Sequence, residues 1–492
     1  MPMRLRFLLD TNILIPLQDS MLVLQPNLAN FVRLAGIGGH QLLYHAATLD
    51  DLGRDANVIR RERTLPRLGQ YDCLERAGPC PWNNPATAPN DASDNEILYA
   101  LECEAAHALV TEDRGLHAKA RARNLGSRVY TIQTAEDWLR RLHEPTEVRL
   151  PNIEDVPLHT LTPQLGLGFF DSLREGYDGF DDWFRRKARE GRNAWIYRGE
   201  SSELSALCIY AMQEDEVITS TGELLTGRAL KLCTFKVGET VRGRKIGELF
   251  LKAAFRFATE NACLNIFIHA NEDRHPYLIQ ILNDFGFERR GQYRGDAVFV
   301  KEHPVDPPAN DLSPTEYARL YYPHYRHDSS IGKYLVPIRP EYHRILFPDY
   351  ESPVERQISL FRPQNSAGNA IKLAYLCHTP TRSVKPGDLL LFYKTLDERA
   401  VTTLGVVDRF ETLRDSTKIA SMVSRRTVYS HAEIEALAER ETKVFLFRCV
   451  EHFSRPVSYK DLEELGIAAG PIQSLRQLDD ERFKRLIRAA RR

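Results

Sequence analysis

Four aspartates open the chemical reading. They fall in L-L-D-T-N at Asp10, T-L-D-D-L at Asp51, D-A-S-D-N-E-I-L at Asp94 and L-V-T-E-D-R-G-L at Asp113. Each stands where an apolar run ends or a helix-like pattern begins. Acids placed at successive strand ends and helix starts suit a hard divalent cation. Asp91 and Glu112 are near enough in sequence to share that work. A single aspartate at a helix start is ordinarily an N-cap, so the argument rests on the set.

A second constellation runs from Lys231 to Gly247, K-L-C-T-F-K-V-G-E-T-V-R-G-R-K-I-G. Its alternating first half predicts a strand. The polar, glycine-bearing turn after it leads into an amphipathic helix through Glu248, Leu249, Phe250, Leu251 and Ala254. Such a turn aims backbone N–H groups and the positive end of a helix dipole into one concavity, which favours a pyrophosphate. Val237, Arg242, Gly243, Arg244, Lys245, Ile246 and Gly247 are the candidate cofactor-binding residues. A third group is aromatic and basic: Lys372, Tyr375, Tyr393, Lys394, Arg425 and Arg426 would suit base stacking beside phosphate contacts. The run Tyr317, Tyr321, Tyr322, His324, Tyr325, Arg326, His327 has the same character, with a packing helix as the equal alternative.

These groups need more than one scaffold. A chain of 492 residues exceeds a single hydrophobic core. Proline-bearing polar stretches at Glu144–Asn152 and His303–Pro314 divide it into domains at 1–145, 153–303 and 315–492. Lys and Arg total 66 against 67 Asp and Glu, a net charge of −1, so any nucleic-acid contact must be local. Eight scattered cysteines without a C-x-x-C pair read as reduced core thiols. The start, M-P-M-R-L-R-F-L-L-D, has too short an apolar run to read as a signal peptide and no window reaches membrane-spanning length, so a cytoplasmic protein is expected.

The elements follow from the pattern. Arg6 to Ile15 reads as a buried strand interrupted by Asp10-Thr11-Asn12. A helix around Leu28–Leu34, the strand Gln41–Tyr44, helices near Thr48 and Asp94, and the strand at Ala108–Val110 complete a doubly wound parallel sheet with acids at its carboxyl edge. Leu264–Ala270 reads as a strand and Pro276–Asp284 as a helix before Phe285-Gly286-Phe287. Leu161–Glu190 takes no assignment, its Phe169, Phe170, Phe180 and Trp183 being given to packing. Strands at Ile371–Cys377, Asp388–Lys394, Val401–Phe410 and Lys443–Val450 fit a small β-barrel, with Asp388 as a turn-former.

Three family resemblances attach to these motifs. Met1 to about Leu142 resembles the PIN-domain ribonucleases, toxin members included. The resemblance implies that Asp10, Asp51, Asp94 and Asp113 are catalytic ligands of Mg²⁺ or Mn²⁺, which would activate water for attack on an RNA phosphodiester and stabilise the leaving oxygen. Arg192 to Lys301 resembles the GNAT acetyltransferases, whose R-x-x-G-x-G/A loop lies here as Arg242 to Gly247 with Lys245 replacing the middle glycine; this implies acetyl-CoA binding, provided that Lys245 needs no left-handed backbone. That family's usual acid tyrosine falls at Leu282, with Tyr277 earlier on the same helix and Glu239 or Glu203 as bases. Gly332 to Arg488 resembles the PUA-like barrels of the ASCH and EVE group, which implies contact with RNA or modified nucleotides.

The expected fold is therefore α/β multidomain: a PIN-like doubly wound parallel sheet, a GNAT-like α+β mixed sheet and a C-terminal PUA-like β-barrel. The leading expectation for function is a metal-dependent endoribonuclease carrying an acetyl-CoA-binding module and an RNA-binding barrel, related to toxin–antitoxin systems. Its partners would be RNA, tRNA among the candidates, acetyl-CoA, and an antitoxin or protein substrate, with no membrane. Two alternatives stay open: an N-acetyltransferase acting on RNA, a tRNA-borne amine or protein with a non-catalytic PIN fold, and a non-catalytic acyl-CoA-sensing RNA-binding regulator.

Overall fold

Short apolar runs that end at a polar residue become the strands of the N-terminal sheet. The computed structural model describes residues 4–18, 25–55, 57–76, 80–82, 91–144, 152–199, 202–238, 241, 245–350, 366–367, 371–381, 383–423, 426 and 429–491. Its chain contacts form two units, Met1–Glu147 with Leu413–Thr442, and Val148–Thr412 with Lys443–Arg492. Among the described residues no helix is long and apolar enough to cross a membrane.

In the first unit β1 (Arg6–Leu9), β2 (Gln41–His45), β3 (Asp72–Leu74), β4 (Ala108–Val110) and β5 (Val129–Tyr130) form a sheet in the order β3-β2-β1-β4-β5. Every pairing is parallel. Parallel sheets are covered on both faces, and successive residues of β1 show it. Phe7 packs among Phe31 and Trp138, both at 5.3 Å between ring centroids, while Leu8 joins Leu43, Ile97, Leu98, Leu109 and Leu116 on the other side. The strand expected to run to Ile15 stops at Leu9. The Asp10 carbonyl accepts the N–H groups of Ile13 and Leu14 at 2.9 and 3.0 Å, which starts the helix Thr11–Gln18.

The second unit holds β6 (Asn152–Pro157), β7 (Asn193–Arg198), β8 (Leu204–Val217), β9 (Leu224–Val237), β10 (Asn265–Ala270), β11 (Glu288–Tyr293), β12 (Asp296–Glu302), β13 (Lys333–Ile338), β14 (Ser366–Ala367), β15 (Lys372–Cys377), β16 (Leu389–Lys394), β17 (Ala400–Leu413), β18 (Thr442–Ser458) and β19 (Arg476–Leu478). An eight-stranded sheet runs β11-β12-β10-β9-β8-β7-β6-β14. It is mixed because β9 and β10 are parallel. The stretch that took no assignment forms short turns and the helices Asp171–Gly176 and Phe180–Arg189, whose Phe170, Phe180 and Phe184 pack with Leu207 and Ile209 on one face of this sheet. The helix Ile246–Glu260 covers the other face through Phe250, Ala254 and Phe255.

A six-stranded sheet runs β15-β18-β17-β16-β13-β19, with β13 and β16 parallel. It curls. The Tyr375 hydroxyl on β15 donates to the carbonyl of Pro337 on β13, four strands away, at 2.8 Å.

The two sheets of this unit share a core. Ile371 and Tyr322 are buried with Phe250, Phe255 and Phe285 of the larger sheet's layer. A buried ionic group joins them too: Asp349, whose side chain is 4% exposed, lies 2.6 Å from Lys252 Nζ and 3.4 Å from His452 Nε2. Those neighbours hold its carboxyl well below the usual range against the opposing effect of burial. Removing one partner of a buried pair leaves the other uncompensated. Asp349→Ala should therefore cost about 3–5 kcal/mol in a denaturant melt of the full chain, and Asp349→Ala with Lys252→Met should cost less than the single change. A single variant that melts like the wild type would show the ion group to be dispensable.

Candidate functional site

Strands β9 and β10 part company near the middle of the larger sheet. They pair at four positions, from Ala229 with Asn265 to Leu232 with Ile268, and β10 pairs with none of the residues of β9 beyond Leu232. On its other side β9 continues along β8 as far as Val237 opposite Ala206. The register there jumps from Tyr210–Leu232 to Ile209–Thr234, leaving Cys233 as a bulge residue. A bulge bends its strand and increases the local twist, so β9 turns away from β10 and a wedge opens between them.

Four of the candidate cofactor residues, Val237, Lys245, Ile246 and Gly247, are among the described residues. Val237 ends β9 half-buried, and Ile246 and Gly247 begin the helix Ile246–Glu260. Arg242, Gly243 and Arg244 lie outside the described residues. Lys245, at the helix N-cap, has φ 59° and ψ 20°. The middle position of the loop thus does take a left-handed backbone, which corrects the expectation for Lys245 and costs a lysine roughly 1–2 kcal/mol relative to right-handed geometry. Its Nζ donates to the carbonyl of Lys372 at 3.2 Å, and Glu248 in the first helical turn accepts the Lys372 N–H at 2.6 Å. A Cβ on Gly247 would come within 3.1 Å of Ile281 and 3.6 Å of Phe235, so glycine is what lets the helix start sit this close to the wedge.

The bulge also sorts side chains between the two faces. Phe235 turns to the helix side, 5.5 Å from Phe250 in an edge-on contact, whereas Cys233 packs on the opposite face beside Arg192 at 3.0 Å. On that opposite face, one residue past the last β9–β10 pair, stands His269. A backbone hydrogen bond at Ile218 holds its ring, and Tyr293 lies 5.0 Å away between centroids. Its Nε2 is buried with no hydrogen-bond partner among the described residues. Burial, with Lys231 adding, holds His269 down to about 4, while Asp296 and Glu216 pull the other way. At neutral pH it is an uncharged imidazole. Sequence reading missed it. The signal was a histidine inside the otherwise apolar run Ile266-Phe267-Ile268-His269-Ala270.

Leu282 is fully buried, Glu203 is 3.3 Å from the Ser205 hydroxyl, Tyr277 lies on the helix Pro276–Asp284, and Glu239 is outside the described residues.

A cleft of about 720 Å³ opens on the six-stranded sheet, bounded by Arg339, Tyr375, His378, Tyr393, Arg399 and Tyr459 among others. The Arg399 guanidinium stacks 4.5 Å over the Tyr459 ring. Tyr375 and Tyr393 line it as largely buried rings, 7% and 4% exposed. The lysines are engaged within the protein: Lys372 with Asp284 at 2.9 Å, Lys394 with Asp397 and Glu398 at 3.2 and 3.4 Å. Arg426 belongs to the segment Leu413–Thr442 of the first unit, and Arg425 lies outside the described residues. Tyr317 and Tyr322 are buried, as the packing alternative has it. Asp388 accepts the N–H groups of Gly332 and Lys385, both at 2.7 Å, as a turn-former would.

The four acids sit at the carboxyl edge of the first unit's sheet, within one another's electrostatic reach. Asp10 follows β1 and accepts from Thr11 N, Asn12 Nδ2 and Thr111 Oγ1 at 2.7, 2.8 and 2.6 Å. Burial pushes its carboxyl up to about 6, with Asp94 and Asp113 adding to the rise. Burial likewise raises Asp94, helped by Asp113 and Asp51 and opposed by Lys119. Each acid nevertheless has a partner. Lys119 bridges Asp91 and Asp94 at 2.5 and 2.7 Å, Arg54 pairs with Asp51, and Asp113 caps the helix Arg114–Ala122 by accepting Leu116 N at 3.0 Å. Glu112 accepts Ile132 N at 2.8 Å. Among the described residues no group of three His, Cys, Asp or Glu converges on a metal-sized point. As placed, the acids do not fit the expected Mg²⁺ or Mn²⁺.

The state of Asp10 has a measurable consequence. Its folded value lies above the ordinary 3.8, so the native carboxyl binds a proton that the unfolded chain does not; the associated stability is complete below about 3.8 and lost as pH rises through about 6. Asp10→Asn should raise the melting temperature of the first unit at pH 7.5, by the equivalent of roughly 2–3 kcal/mol at most, and give little gain at pH 4. An equal shift at both values would mean that the charge is not the cause.

No protein-family profile matches the chain, and no curated protein matches it. Solved structures do. An ASCH protein from Zymomonas mobilis is similar at 16% identity over 32% of this chain and 94% of its own, with a TM-score of 0.25. A GNAT-family acetyltransferase from Staphylococcus aureus is similar at 13% identity over 31% and 99%, with a TM-score of 0.25. The PaiA N-acetyltransferase of Thermoplasma acidophilum, solved in complex with coenzyme A, is similar at 14% identity over 31% and 99%, with a TM-score of 0.24.

Proposed function

We propose that the second unit is an N-acetyltransferase: it binds acetyl-CoA in the wedge between β9 and β10 and acetylates an amine on an RNA or nucleotide recognised at the cleft of the curled sheet. The observation that carries the reading is the parting of the two strands after Leu232 and Ile268. A strand edge that its neighbour has left presents backbone donors and acceptors to an extended ligand, as in strand addition. Bound acetyl-CoA would supply an activated thioester carbonyl. The backbone at the start of the helix Ile246–Glu260 takes the pyrophosphate, with the Lys245 ammonium close by. Gly247 keeps that approach open.

His269 accepts the proton that the attacking amine gives up. Its imidazole is uncharged at pH 7, the state a base requires, and Nε2, buried and without a hydrogen-bond partner among the described residues, would take the proton once the amine reaches it. Leu282 offers no hydroxyl, so in this reading the departing thiolate takes its proton from solvent. The aromatic rings and Arg399 of the cleft suit a base held between a stacking face and a cation. We place this reading ahead of the endoribonuclease expectation because, among the described residues, the acids of the first unit do not converge.

Two changes test it. Gly247→Glu puts bulk and negative charge where phosphate must approach backbone, and calorimetry should show acetyl-CoA bound by the wild type and not by the variant. Equal affinities would place the ligand elsewhere. His269→Gln should leave acetyl-CoA affinity unchanged while lowering transfer to total tRNA or polylysine by roughly 10²–10⁴-fold and removing the acid limb of the pH–rate curve. Wild-type rate and pH dependence in this variant would exclude His269 as the base.

A further inference from the structure

A pocket of acids must be neutralised by something, and in the first unit the neutralising charge is a side chain. Lys119 projects from the helix Arg114–Ala122 so that Nζ lies 2.5 Å from Asp91 Oδ1 and 2.7 Å from Asp94 Oδ2. All three side chains are withdrawn from solvent, Lys119 to 31% exposure and each aspartate to 19%. Around them the remaining acids are also committed: Asp51 to Arg54, Asp113 to its helix cap, and Asp10 to three hydrogen-bond donors.

An ammonium and a divalent ion compete for the same oxygens. Mg²⁺ needs oxygen ligands at about 2.0–2.1 Å in octahedral geometry and Mn²⁺ favours the same hard donors, whereas an ammonium takes three hydrogen bonds at hydrogen-bond distance. Both cannot sit between Asp91 and Asp94, since the like charges would repel at contact distance. The lysine is attached to the chain and needs no recruitment from solution, which favours it entropically over a free ion.

We infer that Lys119 is the resident counter-ion of this carboxylate cluster and that it holds the position between Asp91 and Asp94 that a divalent cation would need. The inference concerns the first unit alone and does not depend on the acetyltransferase reading. Its consequence is that this unit, in its native state, does not use a bound divalent ion, and that the exclusion resides in one side chain.

The test is Mn²⁺ binding to the full chain at pH 7.5, followed by electron paramagnetic resonance of the free ion. Asp94→Asn serves as the reference for ions bound elsewhere. Wild type and Asp94→Asn should bind alike. Lys119→Met should gain a bound Mn²⁺, about tenfold or more tighter than any wild-type site, and Lys119→Met with Asp94→Asn should lose it again. Lys119→Gln, which keeps a polar group in place, provides the same comparison should the methionine variant melt early. Mn²⁺ bound by the wild type and lost with Asp94→Asn would overturn the inference. So would folded Lys119 variants that gain no Asp94-dependent ion, because the lysine would then not be what excludes it.

Discussion

The second unit depends on a mismatch between two parallel strands. Backbone donors and acceptors inside a sheet need partners, and pairing normally continues until one strand ends. Here β9 bulges at Cys233 and leaves β10 after four paired positions, although both strands run on. Three features follow from that divergence. The helix Ile246–Glu260 starts against the wedge and must begin with a small residue, Gly247. Phe235 and Cys233 are sent to opposite faces. His269 becomes the first residue of β10 with no β9 neighbour.

The same helix start couples the two sheets of this unit. Lys372, the first residue of β15, gives its N–H to Glu248 and takes the Lys245 ammonium on its carbonyl. Tyr375, Leu376 and Cys377, further along this strand, line the cleft. Wedge and cleft therefore share one short strand, whose six residues span roughly 20 Å. Buried charge reinforces the join. Lys301 is fully buried, donates to the carbonyls of Leu320 and Arg319 at 2.5 and 3.4 Å, and is driven towards its neutral form by burial. An amine there is tolerated because it satisfies carbonyls at the end of the helix Pro314–Leu320 that would otherwise lack donors.

Charge placement also separates the first unit's appearance from its chemistry. Acids gathered at the carboxyl edge of a parallel sheet invite a metal-centred reading, and Asp10 is desolvated enough to hold a proton near pH 6. The cations that answer them are Lys119 and Arg54. Their ammonium and guanidinium groups neutralise the cluster with hydrogen bonds, and among the described residues no three acids share a point for an ion.

Much of the local structure was readable from residues in order. The strands at Gln41, Ala108, Lys231 and Lys372, the helix Pro276–Asp284 and the turn at Asp388 follow from alternation, helical spacing and turn chemistry, all of which act over a few residues. What long-range contact decided is of another kind. The strand at Arg6 ends at Leu9 because Asp10 opens a helix, and Lys245 takes a left-handed backbone at the start of the helix Ile246–Glu260. Leu413–Thr442 joins the first unit although it lies between two strands of the curled sheet. Tyr375 and Tyr393 are buried by that curl. Lys119 meets Asp91 and Asp94, and His269 faces a wedge, through neighbours 25 or more residues away in sequence or on other strands. Pattern fixes which side chains share a face. Which charge answers which, and which polar atom is left without a partner, is settled only when distant segments pack, because desolvation and pairing depend on every group that surrounds them.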